Sequence, residues 1–362
     1  MKLTKHFRNS VTKLLAVTTL CSAVLLTPST AMAETKSTFR LAWTIYVGWM
    51  PWDYGNASGI VKKWADKYDI DIEIVQVNDY VESINQYTSG GFDATVMTNM
   101  DALTIPAASG VDSTALIIGD FSNGNDGVVL KGNKQLSDIK GQNVNLVELS
   151  VSHYLLARAL ETVSLTERDV RVVNTSDADL VAAFTTSDVT SVTTWNPLLS
   201  EITAMPNTSK VFDSSMIPGE IIDLLVVNTK TLADNPKLGK ALTGAWYEIM
   251  ATMQGSDTKA IDARSLMAEA SGTDLAGYDA QLASTKMFYS AKDAVAFNNS
   301  TDLINTMSKV AEFSFEHGLL GEGASDAKFI GIETPSGVYG SKQNIKLRFD
   351  PTYMQMAVDN KL

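Results

Sequence analysis

The sequence predicts an α/β protein of two lobes, each built on a βαβ sheet, with two strands crossing between them. Three observations carry that expectation. Short apolar runs alternate with amphipathic helical stretches from residue 39 onward, the pattern of parallel strands covered by helices. The alternation breaks at the turn-rich Asn123-Gly124-Asn125-Asp126-Gly127 and starts again at Leu136. The roughly 330 residues that follow an apolar leader also exceed one typical core of about 100–200 residues.

The first cycle opens with the strand Phe39 to Trp43, whose residues alternate apolar and polar. The aromatic stretch Trp43 to Tyr54 follows and reads as a loop, because its rings are crowded rather than spaced along a helix face. Asn56 to Tyr68 then places Ile60, Val61, Trp64 and Tyr68 on one helical face. Strand Asp71 to Val77, helix Asp79 to Thr88, strand Gly90 to Thr98 and a helical stretch Asp101 to Ser109 come next, the last interrupted by Pro106. Thr114 to Asp120 completes the cycle, and the short strand Val128 to Leu130 is the expected first crossing.

The second cycle has strands Asn143 to Val147, Val170 to Val173 and Val189 to Thr194. Helices Ser150 to Val163, Asp177 to Phe184 and Trp195 to Thr203 separate and follow them. Ile221 to Val227 is the expected return crossing. The remainder is helical (Leu238 to Met253, Lys259 to Glu269, Leu275 to Ser284, Asp302 to His317), with one late strand, Ile345 to Phe349. The expected division is 34–125 and 228–362 for lobe 1, and 126–227 for lobe 2.

Residues 1–33 read as a secretory signal peptide. Lys2, Lys5, Arg8 and Lys13 precede an apolar run, Leu14 to Leu26, and Ala31-Met32-Ala33 ends it. The run is short for a bilayer core of about 30 Å. Cys21, the one cysteine, lies in that leader, so no disulfide is expected beyond it. The chain has 29 Lys+Arg and 41 Asp+Glu; without the four leader cations the balance is 25 against 41, a net of −16. Such acidity excludes nucleic acid and anionic membrane surfaces as partners and favours a cationic ligand. No catalytic constellation is present. His6, His153 and His317 are far apart in sequence, and no His-Glu-x-x-His, Gly-x-Ser-x-Gly or phosphate loop occurs. Asp177 and Asp179 read as a solvated acidic turn rather than a metal site.

Several segments in order carry a family resemblance: Thr88-Ser89-Gly90-Gly91-Phe92-Asp93-Ala94, Leu136-Ser137-Asp138-Ile139-Lys140-Gly141, Ser152-His153-Tyr154-Leu155-Leu156 and Trp195-Asn196-Pro197. On these the chain resembles the periplasmic solute-binding proteins of ABC importers, in the group serving nitrate, taurine, alkanesulfonates and thiamine precursors. The aromatic opening and Pro218 to Leu224 look most like a subgroup found beside urea carboxylase-type (guanidine carboxylase) enzymes. The resemblance implies the type II two-lobed periplasmic binding protein fold, a periplasmic location, a membrane permease as partner, a monomer, and neither cofactor nor metal. It also implies a non-enzymatic role. Thr190-Ser191 and Glu148-Leu149-Ser150 depart from the group's pattern, and the second puts a carboxylate where an anionic ligand would approach a helix start.

The expected cargo is therefore a small nitrogen-rich cation such as guanidinium, captured by lobe closure. The alternatives are urea, an anion such as taurine or nitrate, and an enzyme related to thiamine-pyrimidine formation. Guanidinium is flat, with N–H donors on every edge and no acceptor, so it calls for aromatic faces and in-plane carboxylates. Tyr46, Trp49 and Trp195 are the expected wall. Trp52 either joins it or packs against the next helix. The candidate acids are Asp101, Asp120, Glu148, Glu220 and Asp223, with Glu148 preferred because it ends a strand just before a helix. Asp101 reads equally as a helix-start acid, and Asp223 as a buried acid paired with ligand or structure. Asn99, Ser150, Ser152 and Asn196 complete the expected ligand set.

Overall fold

The computed structural model describes residues 36–362; the expected signal peptide, with Cys21, lies outside the described residues. In chain order the strands are β1 (Thr38–Trp43), β2 (Asp71–Gln76), β3 (Ala94–Thr98), β4 (Ser113–Ser122), β5 (Asp126–Lys131), β6 (Asn143–Leu146) and β7 (Arg171–Asn174). They continue with β8 (Ser191–Trp195), β9 (Thr208–Asp213), β10 (Ile222–Asn228), β11 (Thr285–Met287), β12 (Gly331–Thr334), β13 (Gly337–Tyr339) and β14 (Ile345–Phe349).

These form two sheets. The larger runs β13-β12-β14-β4-β10-β3-β1-β2, with β11 added on β4; the smaller runs β7-β6-β8-β5-β9. Within each, parallel βαβ neighbours (β1 with β2 and β3; β6 with β7 and β8) flank antiparallel strands. This is the two-lobed α/β binding-protein architecture that the strand–helix alternation predicts.

Five helices position what matters below: α1 (Met50–Ala57), α2 (Ile60–Lys67), α3 (Tyr80–Thr88), α4 (Asn99–Ala102) and α5 (Val151–Thr162). Local chemistry sets their starts. Pro51 stands in the first turn of α1, where a missing N–H costs nothing. Asp79 caps α3 by accepting the Glu82 N–H at 2.8 Å, and Ser150 caps α5 by accepting from Ser152.

Several expectations need correction. The aromatic stretch is only partly a loop, because α1 begins at Met50. The expected single helix Asn56 to Tyr68 is two, broken where Gly59 takes φ 78°. Residues 103–107 form a π turn that absorbs Pro106 after α4. The strand β9, a helix at Ala291–Asn298 and another at Thr352–Val358 have no counterpart in the sequence reading.

The largest correction concerns the return crossing. β10 is not a link; it sits in the larger sheet between β3 and β4, antiparallel to both. Residues 222–227 thus belong with the first lobe, and the crossing falls on 214–221. The two crossings are stitched side by side: Ser122 Oγ lies 2.6 Å from Ser214 Oγ, which also accepts the Gly124 N–H at 2.8 Å. A central strand buried on both faces is a continuous apolar run, which is why Ile221 to Val227 reads alike as link and as core. Leu225→Ala should then open a cavity at the centre of the larger lobe and cost about 2–5 kcal/mol, read as a lowered urea midpoint with an unchanged slope.

Candidate functional site

A small, partly open cavity of about 20 Å³ lies at the strand ends between the sheets. Tyr46, Trp49, Tyr80, Thr98, Ile221 and Asp223 line it from the larger lobe, and Asp126, Val151 and Trp195 from the smaller. Strand ends and helix starts of both lobes meet there, as expected where open α/β sheets bind ligands. A wider groove outside it shares Trp195, which stands between the two spaces.

The wall is a run of four rings. Tyr46 and Trp49 have centroids 4.7 Å apart, Trp49 stacks on Tyr80 at 5.5 Å, and Tyr80 meets Trp195 edge-on at 5.8 Å. Trp49 Nε1 is buried without a hydrogen-bond partner.

The floor is acidic. Asp120 and Asp223 are register partners on neighbouring strands β4 and β10, so their carboxyls face each other. The Tyr46 hydroxyl lies 3.0 Å from Asp120 Oδ1 and 3.0 Å from Asp223 Oδ2. One hydroxyl hydrogen can serve only one of them, and Asp120 Oδ2 has no partner at all. Gly48 makes room, since a Cβ there would collide with Asp120 Oδ2 and the Tyr46 ring. Asp126 accepts from Ser122 Oγ at 2.5 Å, and Asp101 from Tyr80 (2.6 Å) and Thr98 (2.8 Å), with the Val151 N–H of α5 near its carboxyl.

All four acids are buried, and among the described residues none forms an ion pair with a Lys, Arg or His. Desolvation lifts Asp101 to about 6 and Asp126 to about 7. It lifts Asp120 as well, and Asp223 furthest, because the facing Asp120 charge adds to burial. Burial likewise raises the Tyr46 and Tyr80 phenols, which stay protonated as donors.

Of the expected ligand residues, Tyr46, Trp49, Trp195 and Asp223 line the cavity, with Asp120 behind Tyr46 and Asp101 behind Tyr80. The others are elsewhere. Glu148 is exposed, because its side chain turns out of the β6–α5 connection while its N–H binds Asn174 Oδ1. Trp52 packs on Trp246 at 5.3 Å. Asn99 spends its amide on the Glu220 carbonyl and the Ile222 N–H. Asn196 caps the helix Leu198–Thr203 through Ser200 and bonds Asn125. Ser150 caps α5, and Ser152 is buried with its Oγ unpartnered, outside the cavity lining.

Glu220 is tied to Arg158, Lys309 and Tyr154 (2.9, 2.8 and 2.6 Å). Burial pushes it up, but these partners outweigh burial and hold it below the usual carboxylate range. The sequence reading missed Tyr80, Thr98, Asp126, Val151 and Ile221. Tyr80 and Ile221 sit in apolar patterns that read as core; Asp126 sits in a turn-rich segment that reads as solvent.

A two-lobed α/β chain with a cavity between its lobes belongs, by fold, with the periplasmic binding proteins. Residues 59–254, more than half of the chain, match the family described as NMT1/THI5 like, and the protein belongs to that family. Solved structures agree in fold. The alkanesulfonate-binding protein SsuA from Xanthomonas axonopodis pv. citri bound to MOPS is 15% identical, with TM-score 0.65, covering 80% of this chain and 96% of that one. The periplasmic aliphatic sulphonate binding protein SsuA from Escherichia coli is 16% identical, TM-score 0.65, covering 79% and 94%. The periplasmic nitrate-binding protein NrtA from Synechocystis PCC 6803 is 12% identical, TM-score 0.56, covering 90% and 99%. No curated protein matches the chain in sequence.

Glu220→Gln should cost about 1.5–3 kcal/mol of stability at pH 7, by weakening charge-assisted hydrogen bonds. Because its folded pKa is depressed, the wild-type advantage is present above the unfolded value and fades as pH falls below about 4.3. Urea unfolding of both proteins at pH 7 and pH 3.5 checks this.

Proposed function

We propose that the protein is the extracytoplasmic solute-binding component of an ABC importer, and that its cargo is a small planar nitrogen-rich cation of the guanidinium type. The family and the fold support the first part. One observation carries the second: four buried carboxyls without a counter-charge, under a wall of aromatic rings. Carboxylates out of water are strongly unfavourable unless paired. A cation on the rings gains about 0.5–2 kcal/mol from their faces and supplies a counter-charge to one ionised acid of the floor. The cavity as it stands is water-sized, about 20 Å³, so a guest of four heavy atoms enters only when the lobes part. Lobe closure would bring Asp126, Val151 and Trp195 onto it, and a membrane permease would receive the closed form.

Names of the neighbours favour an anionic solute as the second reading, since those proteins are described as binding sulfonates and nitrate. The local charge opposes it. The start of α5, where an anion would find free N–H groups, already faces Asp101 and the Ser150 cap. Urea, which carries no charge, would give none of the acids a counter-charge and would gain nothing from their ionisation.

Tryptophan fluorescence titration separates these. Guanidinium chloride, far below denaturing concentrations, should saturate the signal while urea, taurine and nitrate do not. Saturation by taurine or nitrate instead would sink the cation assignment. Asp223→Asn should weaken guanidinium binding about 30-fold or more, the 2–5 kcal/mol scale of one partner lost from a buried charge pair. The same variant should leave the ligand-free fold as stable or more stable, because a facing pair of acids is relieved. Glu148→Gln should leave binding unchanged.

pH supplies a second check. Raised native pKa values mean the folded state holds extra protons between about 4, the unfolded value, and the native values near 6 and 7 for Asp101 and Asp126. Stability from these groups is full below that window and is lost as pH rises through it. The ligand-free protein should therefore melt higher at pH 5.5 than at pH 7.5. Guanidinium, which needs the ionised acids, should bind more tightly at pH 7.5, by roughly tenfold or more. Flat affinity across that range would count against the acids as its receptor.

A further inference from the structure

His153 and His317, far apart in sequence, meet across the lobes. His153 lies in the first turn of α5, in the smaller lobe. His317 ends the helix Thr301–Glu316, in the larger. Their rings are 5.3 Å apart. Glu167, just before β7, stands between them: its Oε2 is 2.6 Å from His317 Nε2, and its Oε1 touches His153 Nε2. The three ligand atoms lie within 4.8 Å of one another.

Neighbouring groups fix the ring hydrogens. His317 Nδ1 is 2.8 Å from the Phe313 carbonyl, which only accepts, so Nδ1 carries the hydrogen. The neutral ring then turns its Nε2 lone pair toward the Glu167 carboxylate, and two acceptors face each other. His153 Nε2 is buried there without an aligned hydrogen bond. No Lys or Arg pairs with Glu167 among the described residues. His153, accepting at Nδ1, carries its hydrogen at Nε2 toward Glu167, so the contact left with two acceptors is His317–Glu167, which a proton or a metal ion would satisfy.

We propose that His153, Glu167 and His317 hold a divalent transition metal of the zinc class, which ties the two lobes together. Two imidazoles and a carboxylate are a zinc ligand set, and water would take the fourth position. A backbone carbonyl on the far nitrogen, as Phe313 provides, is the outer contact that orients a metal-bound histidine. One change accompanies binding. His153 Nδ1 accepts the Leu149 N–H at 3.1 Å, whereas ligation through Nε2 puts the ring hydrogen at Nδ1. Leu149 is exposed, at φ 63°, in the turn before α5, so that peptide turns away when the metal enters.

The test uses the purified chain without an affinity tag, stripped with chelator and titrated with zinc chloride by calorimetry. One equivalent should bind and raise the melting temperature, and cobalt(II) should give the visible bands of a four-coordinate site. Glu167→Gln and His317→Gln, checked for folding by circular dichroism, should each weaken zinc about 10–100-fold. Absence of saturable binding, or affinity in both variants equal to that of the unaltered chain, would show instead that a proton on His317 fills the gap. Should a variant fail to fold, imidazole resonances of the unaltered protein decide. Zinc must shift both histidines and the Leu149 amide together; a shift in neither overturns the site.

Discussion

The acids on the cavity floor are the constraint the rest of the site answers to. Asp120 and Asp223 cannot avoid each other, because β4 and β10 are hydrogen-bonded neighbours and the register sets them opposite. Removing two like charges from water at that range raises the energy of the ionised pair by more than one hydroxyl can offset. Tyr46 has a single hydrogen for two carboxyl oxygens. Without a guest the pair must hold a proton, and with a cation it need not. Gly48 keeps the approach open, and the rings exclude water that would otherwise screen the charges. On the proposed reading, charge is the selecting property of this cavity and shape a secondary one.

That floor is also wired to the connection between lobes. Asp126 opens β5, immediately after the first crossing, and is bonded to Ser122, which touches Ser214 on the second. A cation bound to Asp223 of the larger sheet and Asp126 of the smaller would pull on both crossings at once. Trp195 closes the same space from β8. On the proposed reading, charge neutralisation and lobe closure share residues, so one event would carry the free energy of the other.

Much of the fold was legible in the sequence because period-2 and period-3.6 patterns are local. The parallel strands β1, β2, β3, β6 and β7 and the helices α3 and α5 stand where their residues say. What failed was non-local. β10 is an apolar run whether it links lobes or fills a sheet, and only pairing with β3 and β4 decides. The site was half legible for the same reason. Aromatic crowding at Tyr46 and Trp49 and the acid within an apolar run at Asp223 are visible in one dimension. Asp126 is hidden among turn residues, and Tyr80 looks like any helix-face aromatic. Glu148 stands outside the cavity lining because a strand-to-helix connection can point a side chain to either side, and Leu149 at positive φ turns this one outward.

The start of α5 sharpens the electrostatic argument. A helix N-terminus carries roughly half a positive charge and unsatisfied N–H groups. In this chain those features are met from within: Ser150 takes the Ser152 N–H, and the Asp101 carboxyl, reaching over from α4, stands near the Val151 N–H. Asp101 is in turn fixed by Tyr80 and Thr98, so it is held rather than displaceable. An incoming anion would have to expel a carboxylate that two hydroxyls hold, and would then face Asp126 and Asp223 as well. A cation would meet Asp126 and Asp223 in the lining, while the unpartnered Trp49 N–H is the one donor there that it leaves unused. The same backbone architecture can therefore present opposite charge to its guest by changing a few side chains at strand ends, without disturbing either sheet.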